Sequence, residues 1–224
     1  MIEIPPKTEE NLIEEVIKVL KNSKKFLDIG AADGWYTFLA AKAMPPNSII
    51  YGFEPVGFIF DKYKNLFVDS WKNEEWYLDK EFVLKQEVVT NKGIDDVTFY
   101  KPHGKSGNTS LTAVEHIGNH DEFTIPATCI DNILEKNETD CLVKIDVEGH
   151  EFDVLKGGEN YFTNSKNNFV FLELHLEYLI NQKINPDDVL NFLIDRGYSC
   201  KKIASESPRR NKNCNFLEWY IFKK

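Results

Sequence analysis

Apolar residues recur along this chain in two rhythms. Over residues 8–21, Leu12, Ile13, Val16, Ile17, Val19 and Leu20 fall at helical spacing, with Thr8 and the acids after it positioned to cap the start. Residues 1–23 therefore read as an amphipathic lead-in helix. Short apolar runs at 25–29 and 48–53 predict strands, with a helix from about Gly34 to Ala43 between them and Pro45-Pro46-Asn47 to end it. Phe58, Ile59, Tyr63, Leu66 and Phe67 share one face and predict a helix over 57–68, whereas 71–80 has no clear rhythm. Further strands are expected at 82–90, 141–147 and 169–174. A helix carrying Phe152, Val154 and Leu155 follows the second of these, and another covers 186–196. Asn91-Lys92-Gly93 is expected to turn strand 82–90 back into 96–100 as a small hairpin, and 198–203 with 216–222 to form a closing one. Residues 101–123 are polar and rich in Gly, Ser, Asn and His, which predicts a mobile loop near a site.

Strand and helix thus alternate until a final hairpin. That order predicts an α/β fold with a Rossmann-like seven-stranded sheet, mostly parallel with an antiparallel C-terminal hairpin and helices on both faces, in one domain over 1–224.

Chemistry concentrates where apolar runs end. The first run passes into Asp28-Ile29-Gly30-Ala31-Ala32-Asp33-Gly34, and the second ends in Glu54. Gly30 allows a sharp bend, while Ala32 and Gly34 keep side chains small so that a ligand can meet backbone. An acid at the position of Glu54 accepts hydrogen bonds from both hydroxyls of a ribose. The turn lacks the G-x-G-x-x-G spacing that brings amides up to a pyrophosphate, and Asp28 and Asp33 add negative charge beside it. An adenosine-bearing cation fits this better than a dinucleotide, and S-adenosylmethionine is the cofactor expected. Gln86, after the third strand, is the candidate for the adenine.

A second set lies at Lys144-Ile145-Asp146-Val147-Glu148-Gly149-His150-Glu151, and a third at Glu173-Leu174-His175. Ligands gather at the carboxyl ends of parallel strands, so Asp146 is a candidate for both cofactor and acceptor. Glu173 and His175 share a face by alternation. Attack by an alcohol on a sulfonium methyl requires in-line positioning and a base. The candidate catalytic residues are therefore Asp146, His150, Glu173 and His175, with the choice of base open. Asp146, Glu173 and His175 could also hold a divalent metal, but their spacing is not specific. Hydrogen bonding to substrate is the simpler reading, and no metal is assigned.

Overall charge narrows the acceptor. A net charge of −9 and a pI near 5.1 disfavour a grip on nucleic acid or on an anionic membrane. Arg209, Arg210 and Lys212 are a local basic cluster that reads as solvated. Cys129, Cys141, Cys200 and Cys214 form no C-x-x-C pair and read as buried free thiols, although Cys200 and Cys214 could face each other across the last hairpin. No leader or apolar span is visible, so a cytoplasmic protein is expected.

The chain resembles the FkbM-type S-adenosylmethionine-dependent methyltransferases. The likeness runs from Phe26 to His175 through Leu27-Asp28-Ile29-Gly30-Ala31, Phe53-Glu54-Pro55, Ile125-Pro126-Ala127-Thr128, Lys144-Ile145-Asp146-Val147-Glu148-Gly149-His150-Glu151 and Leu172-Glu173-Leu174-His175. It implies O-methylation of a hydroxyl on a sugar, a glycoconjugate or another small metabolite. The alternatives are a nucleic-acid methyltransferase, for which the Asn/Asp-Pro-Pro-Tyr motif is missing, and a non-catalytic cofactor-binding interaction protein. The stretch 69–80 is longer than the family usually carries, which points to a reshaped acceptor pocket or a homodimer surface.

Overall fold

The computed structural model describes residues 10–91, 96–102, 120–206 and 217–224. A seven-stranded sheet runs in the order β3-β2-β1-β8-β9-β11-β10. Its strands are β1 (Lys25–Ile29), β2 (Ile49–Phe53), β3 (Glu81–Lys85), β8 (Cys141–Ile145), β9 (Phe169–His175), β10 (Ser199–Glu206) and β11 (Leu217–Lys223). Pairing is parallel from β3 through to β9, and β11 runs antiparallel to both β9 and β10. The central strands β1 and β8 are almost wholly buried, which is why they read as unbroken apolar runs.

Helices cover both faces. On one side α1 (Glu10–Leu20) and α2 (Trp35–Ala43) lay Leu12, Val16, Leu20, Tyr36 and Ala40 against Phe26, Ile50, Leu142, Phe171 and Trp219. The lead-in helix is thus part of the core; Thr8, its expected cap, lies outside the described residues. On the other side are α5 (Ile130–Ile133), α6 (Glu151–Lys156), α7 (Glu159–Asn164), α8 (Leu176–Asn181) and α9 (Pro186–Ile194). They bury Ile130, Val154, Leu155, Phe162, Leu179 and Leu193 against Leu27, Val143 and Leu172. Among the described residues no helix is long and apolar enough to cross a membrane.

Four expectations need correction. Residues 82–90 are not one strand: β3 stops at Lys85, and β4 (Val88–Val89) pairs instead with β7 (Ala127–Thr128) in a separate parallel ribbon. The next strand, β5 (Val97–Pro102), pairs with β6 (His120–Ile125) rather than turning back on residues 82–90. Hence the ends of the expected 101–123 loop are strand; 103–119, including His103, His116 and Ser106 to Ser110, lie outside the described residues. The strand expected over 141–147 ends at Ile145, so Asp146 and Val147 already belong to the loop.

Residues 71–80 do have structure. Helix α3 (Gly57–Asn65) widens into a π-turn at Leu66–Ser70, and α4 (Glu75–Leu78) follows. Ring centroids of Phe38 and Trp71 lie 4.9 Å apart, those of Trp71 and Trp76 5.5 Å, and Tyr77 stacks on Phe82 at 4.5 Å. Aromatic packing rather than periodic patterning holds the segment, against the β3 edge and on the opposite side of β1 from β9. Cys129 and Cys141 are buried free thiols, but Cys200 is exposed. Cys214 and the Arg209, Arg210 and Lys212 cluster lie outside the described residues.

Candidate active site

The strand order reverses between β1 and β8, and the chain leaves both strands on the same rim of the sheet. Gly30 and Ala31 donate backbone N–H groups to the Phe53 carbonyl, at 3.0 and 2.9 Å, and Asp146 N–H donates to Ile29 O at 3.2 Å. The first turn is therefore suspended between β2 and β8. Gly30 has φ +78°, and a Cβ there would lie 1.8 Å from the Asp146 carbonyl oxygen. Only glycine lets the two loops approach this closely. At Gly34 an added Cβ would lie 2.5 Å from the Tyr63 ring, so its bareness makes room for a buried aromatic rather than for a ligand.

Glu54 sits at the tip of β2. Its Oε2 accepts the Ala32 N–H and its Oε1 the Val56 N–H, both at 2.9 Å. Burial pushes its carboxyl up, and the two backbone hydrogen bonds only partly offset this. One acceptor lone pair remains on each oxygen, which suits a vicinal diol. Ala32 is exposed and Asp33 half-buried beside it, and Gln86 reaches back to the Pro55 carbonyl at 3.3 Å. Asp28 is different: it has no exposed surface and is engaged inward. Thr37 Oγ1 donates to it at 2.7 Å, and Lys144 Nζ lies 3.2 Å from its other oxygen. Burial raises the Asp28 carboxyl despite Lys144, and its described partners are Thr37 and Lys144 rather than the surface of the turn.

Lys144, the one charged residue within the β8 strand, is the link between the two loops. It is 2% exposed, donates to Gly30 O at 2.7 Å and lies 3.3 Å from Asp146 Oδ2. Burial works against its ammonium, yet Asp28 and Asp146 hold its pKa above the ordinary lysine range.

On the adjoining strand ends, ligand atoms of Asp146, Glu173 and His175 all lie within 4.8 Å of one another. Register explains this: Ile145 pairs with Leu172, so Asp146, the first residue past β8, lies beside Glu173 within β9. His175 is 3% exposed. Its Nδ1 lies 2.8 Å from Glu151 Oε1, while its Nε2 faces Glu148 at 3.5 Å and Asp146 and Glu173 at 3.9 Å each. Burial disfavours the imidazolium, but Glu151 and the other acids raise its pKa to about 9. Burial opposes the Asp146 charge as well, but Lys144 and His175 hold that carboxyl below its usual range. Burial and the Asp146 charge push Glu173 well above its own.

His150 does not join this group. It caps α6, with Nδ1 3.8 Å from Asp153. Sequence reasoning passed over Glu148, Glu151 and Lys144. Glu148 stands in the left-handed region at φ +53° with its side chain 42% exposed, and burial holds its carboxyl above the usual range. The fully buried Glu151 accepts the Gly149 N–H at 2.8 Å as well as bonding His175.

The family described as the methyltransferase FkbM domain matches residues 28–200. The hexuronic acid methyltransferase AglP of Haloferax volcanii is 23% identical over 211 residues, covering 93% of this chain and 75% of that protein. Methyltransferase FkbM from Methylobacillus flagellatus superposes with a TM-score of 0.60 at 14% identity over 91% of this chain, which spans only 44% of that one. The O-methyltransferase TomG from Streptomyces achromogenes, solved in complex with SAM, gives 0.52 at 10% identity, covering 98% of this chain and 81% of its own.

Proposed function

This chain belongs to the FkbM methyltransferase family, and from that membership we propose that it moves a methyl group from S-adenosylmethionine to a hydroxyl of a sugar or glycoconjugate. One observation carries the reading: a diol-accepting carboxylate, Glu54, and a convergent set of acids and an imidazole share the rim at the point where strand order reverses. The donor residues fit the cofactor. Glu54 retains acceptor capacity for a ribose, Gln86 lies beside it for the base, and Ala32, Asp33 and Gly34 form a turn with no cradle of amides for phosphate.

Bound there, the cofactor supplies an electrophilic methyl on a positively charged sulfur. The chain supplies position and a proton acceptor. Asp146, ionised and 27% exposed, orients the acceptor hydroxyl by accepting its hydrogen bond. His175 is an imidazolium at neutral pH, so it cannot take the proton and instead holds the acids in place. Glu148 is the better base, because its raised pKa lies nearer working pH and its carboxyl is open to the cleft. The proton lost as the oxygen–methyl bond forms passes to it.

The sugar acceptor is supported by the hexuronic acid activity named for the relative and by the acidity of the chain, which disfavours nucleic acid. Calorimetry with S-adenosylmethionine and S-adenosylhomocysteine tests the donor half. Both should bind, and Glu54→Ala should weaken each by about tenfold to a hundredfold, the loss of hydrogen bonds to a charged acceptor. Absence of binding by both would refute the reading.

A further inference from the structure

We propose that Asp146, Glu173 and His175 form a site for a divalent cation of the Mn²⁺ or Mg²⁺ type, with Glu148 left beside it as the base. The inference deepens the reading of the acceptor half and rests on it only for the cation's use, not for its binding. Spacing is the first argument. Donor atoms about 2.1 Å from one octahedral ion lie about 3.0 Å apart when adjacent and about 4.2 Å when opposite. Here His175 Nε2 stands 3.9 Å from both Asp146 and Glu173, between those two spacings, and the three donor atoms all lie within 4.8 Å of one another.

A second, independent argument comes from the partners behind the cluster. Glu151, with no exposed surface, takes the His175 Nδ1 bond and the Gly149 N–H on one oxygen, which fixes the ring so that Nε2 points at the acids. Carboxylate–histidine pairs of this kind orient metal-bound imidazoles and raise their basicity. Glu173 is 95% buried and aimed into the cluster, opposite Trp219 in the β9–β11 register; its side-chain hydrogen bond runs to Asp146, and among the described residues none is shown to a backbone group or to a side chain outside the cluster. Two carboxylates with one imidazole are mainly hard donors, which favours Mn²⁺ and Mg²⁺ over thiophilic metals; the ion takes the place of the His175 Nε2 proton, which is released to solvent as it binds. Protein atoms fill three positions, leaving room for oxygens of the acceptor, whose hydroxyl the ion would acidify as a Lewis acid.

The test is Mn²⁺ titration of the full chain, followed by calorimetry and by loss of the free-ion electron paramagnetic resonance signal. One equivalent should bind below about 1 mM, the weakest range of specific oxygen-ligand sites. Glu173→Gln should weaken binding at least tenfold, and Glu151→Gln, which touches no ion, by about tenfold to a hundredfold. Glu54→Ala should leave Mn²⁺ uptake unchanged while weakening S-adenosylmethionine binding, so failure here and failure of the methyl-donor reading separate cleanly. Circular dichroism confirms that each variant is folded, with His175→Gln as a substitute where one is not. No uptake at that concentration, or uptake that these variants leave unaltered, as for ions gathered by a merely acidic surface, would overturn the proposal.

Discussion

At the scale of single residues, the acceptor rim depends on which acids carry charge. His175 has a folded pKa of about 9, raised from an ordinary value near 6.5. A pKa raised by folding means the imidazolium is bound more tightly in the native state. Its contribution to stability is therefore complete below pH 6.5 and disappears as pH climbs to about 9. In chelator-treated protein, a proton NMR titration of the His175 ring should show a midpoint near pH 9, and a value at or below 6.5 would contradict the buried pairing with Glu151. Sequence alternation anticipated that Glu173 and His175 would share a face, and the strand-end position of Asp146 was legible in the same way. The protonation states were not, because they come from Glu151, 2.8 Å from the His175 ring in space but 24 residues apart in sequence. For the same reason His150 and His175 looked interchangeable as bases, although only one of them meets Asp146.

Among elements, the turn after β1 and the loop after β8 are built as one unit. Gly30→Ala adds a Cβ 1.8 Å from the Asp146 carbonyl at a left-handed φ. It should cost at least about 2 kcal/mol, read from urea unfolding. Lys144→Met leaves the buried Asp28 and the half-buried Asp146 without their cation. Removing one member of a buried pair costs about 3–5 kcal/mol, so this variant should unfold at clearly lower urea even though methionine fills a similar volume. An unchanged midpoint would show that Lys144 does not tie the two loops together. The main strands were readable because burial on both faces leaves nearly continuous apolar runs. The break at Gln86 and Glu87 and the β5–β6 pairing were not, since these depend on which partner strand captures a short β-prone segment. The aromatic segment around Trp71 and Trp76 escaped because rings pack by shape, without a repeating interval.

For the whole molecule, the two faces of the sheet set what solvent can reach. Cys141 is buried in β8 with its thiol pushed up to about 12, and Cys129 is buried too, whereas Cys200 lies exposed on β10. Native alkylation near pH 8, followed by peptide mapping, should label Cys200 well before Cys129 or Cys141. Comparable rates would mean a core looser than described. On the function proposed above, the methyl donor sits over β1 and β2 and the acceptor over β8 and β9, and the aromatic segment at the β3 edge lies beyond β2 from β1. Residues 69–80 therefore do not border Asp146 through the sheet. The most direct test is to incubate the protein with methyl-labelled S-adenosylmethionine and a panel of neutral and uronic acid glycans. The prediction is label recovered in sugar as an alkali-stable methyl ether, with Asp146→Asn slowing the transfer about a hundredfold or more. Label recovered only in nucleic acid, or in no sugar at all, would contradict it.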